Sequence, residues 1–428
     1  MRSLYVLKQD HVVGQLHVND ASPLEYTFVY EKSAKENDFV SLTMPPASQT
    51  IWGPRFTLHP IFDMNLPEGE RRLYIEQAAR VGGADDFTLL EAIGGRQIGL
   101  LRFTHDPANS RPKVTPINHD RLAHIDDGLS FFESVFKDLA NSTSGVSGVQ
   151  PKVLAATTAD GEGLPGTLIG DTHILKRDRD RYTGMVVSEF LCAEALKNAS
   201  LAVANCSLSG DGTLLVIERF DRSGEQALHF EEFCSLMGLI SSDKYSATYE
   251  QLATSINRFV EASSRQQAVI ALFRALVCYR LIGNADAHMK NFGVLCTSYE
   301  DIHLAPFYDA VCTRAFEDVP PGVLMGGKGT WWNHATLVAF GRYCGLSTKE
   351  AEAHIEDVCT AVEGTLSAID TARQQYAHFD EVGERMTLLW KHALEEMRAK
   401  RAVPKPKVKY PKRKRPKMKT IGATSRWP

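Results

Sequence analysis

The feature that most constrains this chain is a run of polar residues placed directly after a long apolar stretch. The apolar stretch covers residues 268–283 and is interrupted by Arg274 and Arg280, so it predicts a buried helix rather than a membrane span. Residues 284–291 then read Asn-Ala-Asp-Ala-His-Met-Lys-Asn. Polar groups that follow a buried helix cost free energy unless they are hydrogen-bonded or used, and this favours a functional loop.

Within this loop, Asp286 and Asn291 have the Asp-x-x-x-x-Asn spacing of a protein-kinase catalytic loop. In kinases the aspartate accepts the proton of the substrate hydroxyl, and the asparagine binds a magnesium ion. Two alternatives stay open. Asn284 and Asp286 would only cap the helix end and the next turn, or Asp286, His288 and His303 would bind a hydrolytic metal, although their spacing matches no zinc signature.

Two segments upstream fit the same kinase order. The glycine-rich stretch 144–152 would let the backbone approach phosphate oxygens, and a Gly/Ser hairpin turn is the alternative. Lys176 ends a strand-like run, and Glu189 lies in the helical stretch 185–197. We expect Glu189 to pair with Lys176 and to hold it against the α- and β-phosphates, as in kinases.

Downstream of the loop, Asp309 follows a predicted strand pair at residues 292–295 and 301–304. Kinases place their second magnesium ligand at this point of the chain. Alone, Asp309 would indicate no more than a turn. The full order of glycine loop, lysine, helix glutamate, Asp-x-x-x-x-Asn, hairpin and aspartate favours a kinase site.

A charged run at residues 218–222 follows the apolar strand predicted at 214–217. It lies between the parts of the chain that would form a small and a large lobe, where the backbone of a kinase hinge hydrogen-bonds adenine. A surface salt-bridge cluster is the alternative, and composition alone favours it.

The chain divides into four parts. Residues 1–105 predict a small mixed α/β domain of short strands, and a proline-containing linker follows. Residues 122–225 predict a strand-rich small lobe, and residues 226–397 a mostly helical lobe. Residues 398–428 hold thirteen of the 48 basic residues and no acid, so the remainder has 35 basic against 52 acidic residues, a net charge of −17. Closely spaced prolines there predict an extended, disordered tail that does not join the core.

The cysteines and the N-terminus bear on the compartment. The eight cysteines are never closer than 14 positions, which excludes a Cys-x-x-Cys pair, and we expect them to be reduced and mostly buried. The first residues contain no long apolar region followed by a cleavage site, so we expect a cytoplasmic protein with no membrane partner.

From residue 1 to about 395 the sequence resembles the HipA toxin kinases of bacterial type II toxin–antitoxin systems. The matching segments are 62–69 (Phe-Asp-Met-Asn-Leu-Pro-Glu-Gly), 86–94, 148–152 (Gly-Val-Gln-Pro-Lys), 173–176, 188–190, 218–222, 282–291 and 306–309. The resemblance implies a two-lobed, protein-kinase-like α+β fold with an extra N-terminal mixed subdomain and a mostly helical C-terminal lobe.

The resemblance also implies a role for each matching residue. Asp286 would be the catalytic base, Asn291 and Asp309 would bind Mg²⁺, and Glu189 would support Lys176. The residues that would bind ATP are Gly148, Gln150, Lys152, Lys176, Glu218, Phe220 and His288.

One departure concerns self-inactivation. Many members of the family autophosphorylate a serine three residues before the glycine that matches Gly148, and here that position is Gly145. Ser147 and Ser144 are the available substitutes for autophosphorylation.

The activity implied by the resemblance is that of a serine/threonine protein kinase that stops translation, often by phosphorylating an aminoacyl-tRNA synthetase. Its partner would be a helix-turn-helix, HipB-like antitoxin that binds operator DNA. The basic tail has no family counterpart; it would contact DNA or tRNA phosphates, or be a solubilising end. Two other classes stay open: a catalytically weak regulator that binds antitoxin and DNA, and a small-molecule phosphotransferase.

Overall fold

The N-terminal part of the protein is an antiparallel sheet with strand order β4-β3-β2-β1-β5. The computed structural model describes residues 1–20, 23–68, 72, 76, 85–94, 97–108, 125–142, 167–169, 172–178, 182–223 and 226–410. The strands of this sheet are β1 Arg2–Lys8, β2 His11–Asn19, β3 Glu25–Tyr30, β4 Ile51–Arg55 and β5 Leu101–Thr104, and helices α1 Pro60–Asp63 and α2 Asp86–Ile93 pack against it.

Strand β3 shows why this sheet forms. Tyr26, Phe28 and Tyr30 are buried and alternate with half-buried residues, the period expected of a strand. A Cβ atom on Gly14 of β2 would lie 2.6 Å from the Phe28 ring, so only glycine fits at that position. The Phe28 ring also lies 5.4 Å from that of Phe62 in α1. The domain core therefore fixes the start of the 62–69 segment.

The small lobe is a second antiparallel sheet, with strand order β6-β7-β9-β8. Its elements are α3 Gly128–Ser142, β6 Thr167–Ile169, β7 His173–Arg177, α4 Met185–Asn198, β8 Cys206–Leu208 and β9 Leu214–Glu218. Leu214 and Val216 pack with Phe132 of α3, whereas Leu215 and Ile217 pack with α4. Both faces of β9 are covered, which explains its uninterrupted apolar sequence.

The remaining part is mostly helical, as the sequence predicts. Its elements are β10 Arg222–Ser223, β11 Gln226–Ala227, β12 His229–Glu232, α5 Phe233–Leu236, α6 Tyr249–Phe259, α7 Arg265–Ile282, β13 Gly293–Cys296, β14 Ile302–Leu304, α8 His334–Tyr343, α9 Thr348–Gln375 and α10 Asp380–Ala399. Strands β12, β13 and β14 form one sheet. Helix α7 is buried along most of its length, and Trp390 of α10 donates a hydrogen bond to the Ile282 carbonyl (3.0 Å).

The charged run after β9 is not a surface cluster, contrary to the expectation from composition. Arg219 and Asp221 are 2% and 1% exposed and form a bidentate pair, with Nε–Oδ1 and Nη2–Oδ2 distances of 3.0 and 2.6 Å. Arg219 also donates to the Gln97 carbonyl (2.8 Å), and Asp221 accepts from the Gly99 amide (2.6 Å). The pair is buried because the N-terminal domain covers it.

The tail also departs from expectation, because its first part does join the body. Residues 401–410 form neither helix nor strand, as the prolines predict. However, Val408 packs against the main hydrophobic core, and the Tyr410 hydroxyl donates to the Arg314 carbonyl (3.0 Å). Apolar and basic residues alternate here, so an extended chain can bury its apolar side and expose its basic side. The number of charges and prolines in the tail does not reveal this alternation. Residues 411–428 lie outside the described residues.

The eight cysteines are free thiols and all but Cys206 are buried, as expected. Among the helices that the structure describes, none combines the length and apolarity needed to cross a membrane.

Candidate active site

The polar loop after α7 begins at a glycine in the left-handed conformation. Gly283 has φ +74°, and a Cβ atom there would lie 3.3 Å from the side chain of Arg314. The Asn284 carboxamide then accepts a hydrogen bond from the Asp286 amide (3.0 Å), and the Thr313 hydroxyl accepts one from Ala285 (2.8 Å). The loop is therefore held from below by the turn around Thr313.

Asp286 is half-buried at the top of this loop. Its carboxylate accepts a hydrogen bond from the Tyr245 hydroxyl. Burial raises the pKa of Asp286 to about 6, and the bond from Tyr245 opposes that rise. In the helix-capping alternative, Asn284 and Asp286 only cap backbone amides. Asn284 does cap the Asp286 amide, whereas the Asp286 carboxylate accepts its hydrogen bond from the Tyr245 side chain.

Asn291 joins the loop to Asp309. The Asn291 Oδ1 accepts from the His288 amide (3.0 Å), and its Nδ2 donates to Asp309 Oδ2 (3.0 Å). Asp309 follows the β13–β14 hairpin and has φ +57°, a left-handed conformation that is uncommon for residues other than glycine, asparagine and aspartate. Such strain persists where the surrounding structure enforces it, and it is common at functional sites.

Lys176 at the end of β7 completes the cluster. Its Nζ lies 2.7 Å from Glu189 Oε1 of α4 and 2.5 Å from Asp309 Oδ1. Burial alone would lower the pKa of Lys176, but the two carboxylates outweigh burial and raise it. Burial raises the pKa of Glu189 to about 7, whereas Lys176 holds the pKa of Asp309 below its ordinary value.

The two histidines of the metal-hydrolase alternative are separated. His288 is buried, and its Nδ1 has no hydrogen-bond partner among the described residues. His303 instead lies 2.6 Å from Asp301 and groups with Glu261, a cluster that includes neither Asp286 nor His288. The arrangement therefore does not support a hydrolytic metal site at Asp286.

The segment predicted as a hinge adjoins the cluster from the side of β9. The Glu218 amide donates to the Asn205 carbonyl (2.8 Å), and the exposed Glu218 carboxylate accepts from the Asn205 side chain (3.1 Å). The Phe220 ring lies 5.5 Å from the rings of both Phe230 and Tyr308, and Tyr308 directly precedes Asp309. The hinge segment and the acidic end of the cluster are thus packed together.

Comparison with known families agrees with this arrangement. The family described as HipA-like C-terminal domain matches residues 144–366, which is more than half of the chain, and the HipA N-terminal domain matches residues 4–104. The chain belongs to the HipA family. The putative kinase Y4mE of Sinorhizobium fredii is 29% identical over 350 residues, covering 76% of this chain and 80% of Y4mE.

HipA of Shewanella oneidensis extends the comparison, both in sequence and in structure. The serine/threonine-protein kinase toxin HipA is 25% identical over 339 residues, covering 74% of this chain and 76% of that toxin. A solved complex of HipA with HipB and operator DNA superposes with a TM-score of 0.67 and 19% identity, covering 94% of this chain and all of the other. The predicted HipA-type, kinase-like α+β fold is confirmed.

The HipA-family site offers a donor set that fits Mg²⁺. Carboxylate and amide oxygens are ligands that Mg²⁺ accepts. Asp309 provides a carboxylate, and the adjoining Asn291 carboxamide provides an amide oxygen, which here accepts from the His288 amide. The Asp309 side chain is 45% exposed, so its carboxylate is accessible although Lys176 pairs with it. Asp309 and Asn291 would hold the ion.

Some predicted residues fall outside the part of the chain that the structure describes, and one residue was missed. Gly148, Gln150 and Lys152 and the candidate serines Ser144 and Ser147 lie outside the described residues. Tyr245 was missed because it lies in none of the segments that resemble the HipA family. It becomes visible only when the segment before α6 folds against Asp286.

Proposed function

We propose that this chain is an ATP- and Mg²⁺-dependent serine/threonine protein kinase. The observation that supports this best is the hydrogen-bonded cluster of Lys176, Glu189, Asn291 and Asp309, with Asp286 beside it on the loop that carries Asn291. Its parts appear in the chain order that kinases use for phosphate binding, proton acceptance and metal binding.

Each residue of the cluster has a proposed task. Lys176, oriented by Glu189, binds the α- and β-phosphates of ATP, and the backbone of Glu218 and Phe220 binds adenine. Asp286 orients the substrate hydroxyl and accepts its proton as the phosphoryl group is transferred. When bound between Asn291 and Asp309, Mg²⁺ would neutralise charge on the phosphate oxygens.

The substrate binds where Tyr245 now meets Asp286. The serine or threonine hydroxyl must reach the Asp286 carboxylate within hydrogen-bond distance, so it either replaces the Tyr245 hydroxyl or uses the second carboxylate oxygen. His288, with its Nδ1 unpartnered among the described residues, is the nearby neutral group proposed to contact the nucleotide. Burial lowers the pKa of His288 well below its ordinary value, so the ring stays uncharged at neutral pH.

The biological role that we propose is that of a toxin in a type II toxin–antitoxin system. The kinase would act in the cytoplasm and inhibit translation by phosphorylating an aminoacyl-tRNA synthetase. Its partner would be a HipB-like helix-turn-helix antitoxin bound to operator DNA. Support comes from the fold shared with a HipA protein that was solved with HipB and operator DNA.

The tail would add a contact to nucleic acid. Lys405, Lys407 and Lys409 are exposed, whereas Val408 and Tyr410 face the body. The packed residues therefore hold three lysines in a row toward solvent. We propose that this row contacts phosphates of operator DNA or of tRNA on a synthetase substrate.

The test is transfer of phosphate from radiolabelled ATP into proteins of a cell lysate, with the labelled band identified by mass spectrometry. We expect one labelled protein, a synthetase, and no label with Asp286→Asn or without Mg²⁺. Label found only in small molecules would indicate a small-molecule phosphotransferase. No transfer, together with tight binding of antitoxin and DNA, would indicate the catalytically weak regulator.

A further inference from the structure

The N-terminal segment 62–69 has no task in the reaction proposed above, yet Glu68 of this segment reaches the active site. The Glu68 carboxylate lies between two lysines of the catalytic part, with Oε2 at 2.7 Å from Lys244 Nζ and Oε1 at 3.0 Å from Lys290 Nζ. Lys244 directly precedes Tyr245, and Lys290 directly precedes Asn291. One carboxylate of the N-terminal domain thus bridges the chain on both sides of Asp286.

Besides Glu68, three further groups contact the ammonium group of Lys290. Its side chain is 11% exposed and lies 3.2 Å from the Met64 carbonyl, 3.1 Å from the Ser241 hydroxyl and 3.4 Å from Glu232. Because an ammonium group has three donors, Lys290 spends its hydrogen-bonding capacity here rather than on a nucleotide.

The backbone of Lys290 links the same region to Asp309. The Lys290 carbonyl accepts a hydrogen bond from the Tyr308 hydroxyl (2.5 Å), and Tyr308 adjoins Asp309 in sequence. The Lys244 carbonyl likewise accepts from the Met289 amide (3.1 Å), inside the catalytic loop. Displacement of either lysine would therefore move a residue next to the proposed base or metal ligands.

The negative charge of Glu68 balances the positive charges of Lys244 and Lys290. Burial alone would raise the pKa of Glu68, but Lys290 and Lys244 hold it below the ordinary value, so Glu68 is ionised at neutral pH. Without this negative charge, Lys244 would face Lys290 and the carboxylate of Asp286. Attraction between Lys244 and Asp286 would then compete with the substrate hydroxyl.

We propose that Glu68 is a positioning residue supplied by the N-terminal domain, which bridges Lys244 and Lys290 and so fixes the loop that carries Asp286 and Asn291. This inference rests on the proposed kinase function. It assigns the N-terminal domain a part in the geometry of catalysis and not only in partner binding.

The test compares the wild-type chain with Glu68→Gln and with Asp20→Asn, which removes an exposed ion pair of the same domain, Arg2–Asp20. For Glu68→Gln we expect kcat to fall about 10- to 100-fold, since small displacements of catalytic groups cost this much. The KM for ATP should change less than kcat, because Lys176 and the hinge are untouched and only Asn291 and His288 of the nucleotide site lie on the displaced loop. Asp20→Asn should match the wild-type chain.

A double-mutant cycle with Lys244→Gln tests the route of the effect. If Glu68 acts through Lys244, the double variant should be less impaired than the product of the two single effects. Amide hydrogen exchange supplies a readout without activity: residues 284–292 should exchange faster in Glu68→Gln but not in Asp20→Asn. This readout also serves if Glu68→Gln lowers the melting temperature.

The outcomes separate the two claims. An inactive wild-type chain would refute the proposed kinase function, and the exchange data would still decide whether Glu68 fixes the loop. An active wild-type chain with unchanged or higher kcat in Glu68→Gln, or with unchanged exchange at residues 284–292, would overturn the positioning role.

Discussion

Two half-buried lysines of this protein are each held by two carboxylates, yet their surroundings differ. Lys176 pairs with Glu189 and Asp309, and the Asp309 side chain is 45% exposed. Lys290 pairs with Glu68 and Glu232, and these carboxylates are 34% and 13% exposed. We call the first group the open cluster and the second group the closed cluster.

The difference lies in what else each lysine contacts. Lys290 also bonds to a backbone carbonyl and to the Ser241 hydroxyl, so its partners are fixed by the fold. Within the described part of the chain, Lys176 Nζ donates to the two carboxylates alone. Asp309, the accessible carboxylate, can bind another cation in place of Lys176, and Lys176 can then bind phosphate. A lysine whose partner is accessible to solvent suits ligand exchange, whereas an enclosed one suits positioning.

The largest expected effect is at the base beside the open cluster. Asp286→Asn should lower phosphoryl transfer by about 10²–10⁴-fold, because general base catalysis contributes this much. Growth inhibition should disappear with it. The fold should persist: burial raises the pKa of Asp286, so the ionised form costs folding free energy at neutral pH and its removal does not destabilise. Steady-state kinetics and thermal melts check both statements.

The matched control for Asp286→Asn is Asp301→Asn. Asp301 pairs with His303 and is not part of either cluster, so this variant should keep its rate. Wild-type transfer by Asp286→Asn would show that the base is another residue.

The next prediction sets the two lysines against each other. Lys290→Met should lower the free energy of unfolding by about 3–5 kcal/mol, because it leaves the enclosed Glu232 carboxylate without its cation and the Met64 carbonyl and Ser241 hydroxyl without their donor. Lys176→Met should abolish transfer but cost less stability, because it leaves only Glu189 buried without its cation, whereas water can hydrate the exposed Asp309 carboxylate. Urea denaturation measures the stabilities. Equal losses of stability for the two variants would remove the distinction between open and closed clusters.

A third prediction concerns charge added near ATP. If the protein is found phosphorylated, we expect the phosphate on Ser147 or Ser144, because phosphoserine adds about −1.5 to −2 charges to a loop proposed to cradle ATP phosphates. ATP binding should then disappear while the closed cluster, and with it the melting temperature, is unaffected. A protein with alanine at both serines should stay active and unmodified. Mass spectrometry that finds phosphate only outside residues 140–152 would exclude this mechanism.

The smallest effect on rate is expected from the tail, which touches neither cluster in the described residues. Replacing Lys405, Lys407 and Lys409 by glutamine should leave transfer to a short peptide unchanged. Affinity for DNA or tRNA should fall, and the slope of log affinity against log salt should become shallower by up to about 0.9 for each phosphate that the variant no longer binds.

Substitution is a sharper test of the tail than deletion of residues 399–428, because deletion also removes the packed residues Val408 and Tyr410. Equal binding by the variant and the wild-type chain from 50 to 200 mM salt would leave the tail as a solubilising end. Over that range a protein that binds many phosphates loses about 10³–10⁵ in affinity, so a real contribution would be measurable.

The sequence predicted those parts of the site that depend on local spacing. Helix α7, the loop after it and the β13–β14 hairpin are contiguous, so Asp286, Asn291 and Asp309 follow from their distances along the chain. The meeting of Lys176 with Glu189 follows from one strand and the next helix. The order of these segments along the chain matches that of kinase motifs, and this order led us to predict that the separate segments meet in one site.

What the sequence did not predict depends on docking between distant segments. Glu68 meets Lys290 across 222 positions, and no periodicity indicates such a pairing. The Arg219–Asp221 pair looked like surface charge because its cover, Gln97 to Gly99, belongs to another domain. The contact of Tyr410 with the body was not predicted, because the basic residues around it indicated a solvent-exposed tail. In each case the missing information was the partner surface and not the residue itself.

The backbone at Asp309 restricts how this site can be lost in evolution. With φ +57°, the position admits glycine and asparagine readily and strains β-branched or other side chains. The substitutions that remove the carboxylate with the least added backbone strain are therefore Asp309→Asn and Asp309→Gly. Catalytically silent descendants of this chain should carry those two residues at position 309 more often than alanine or valine.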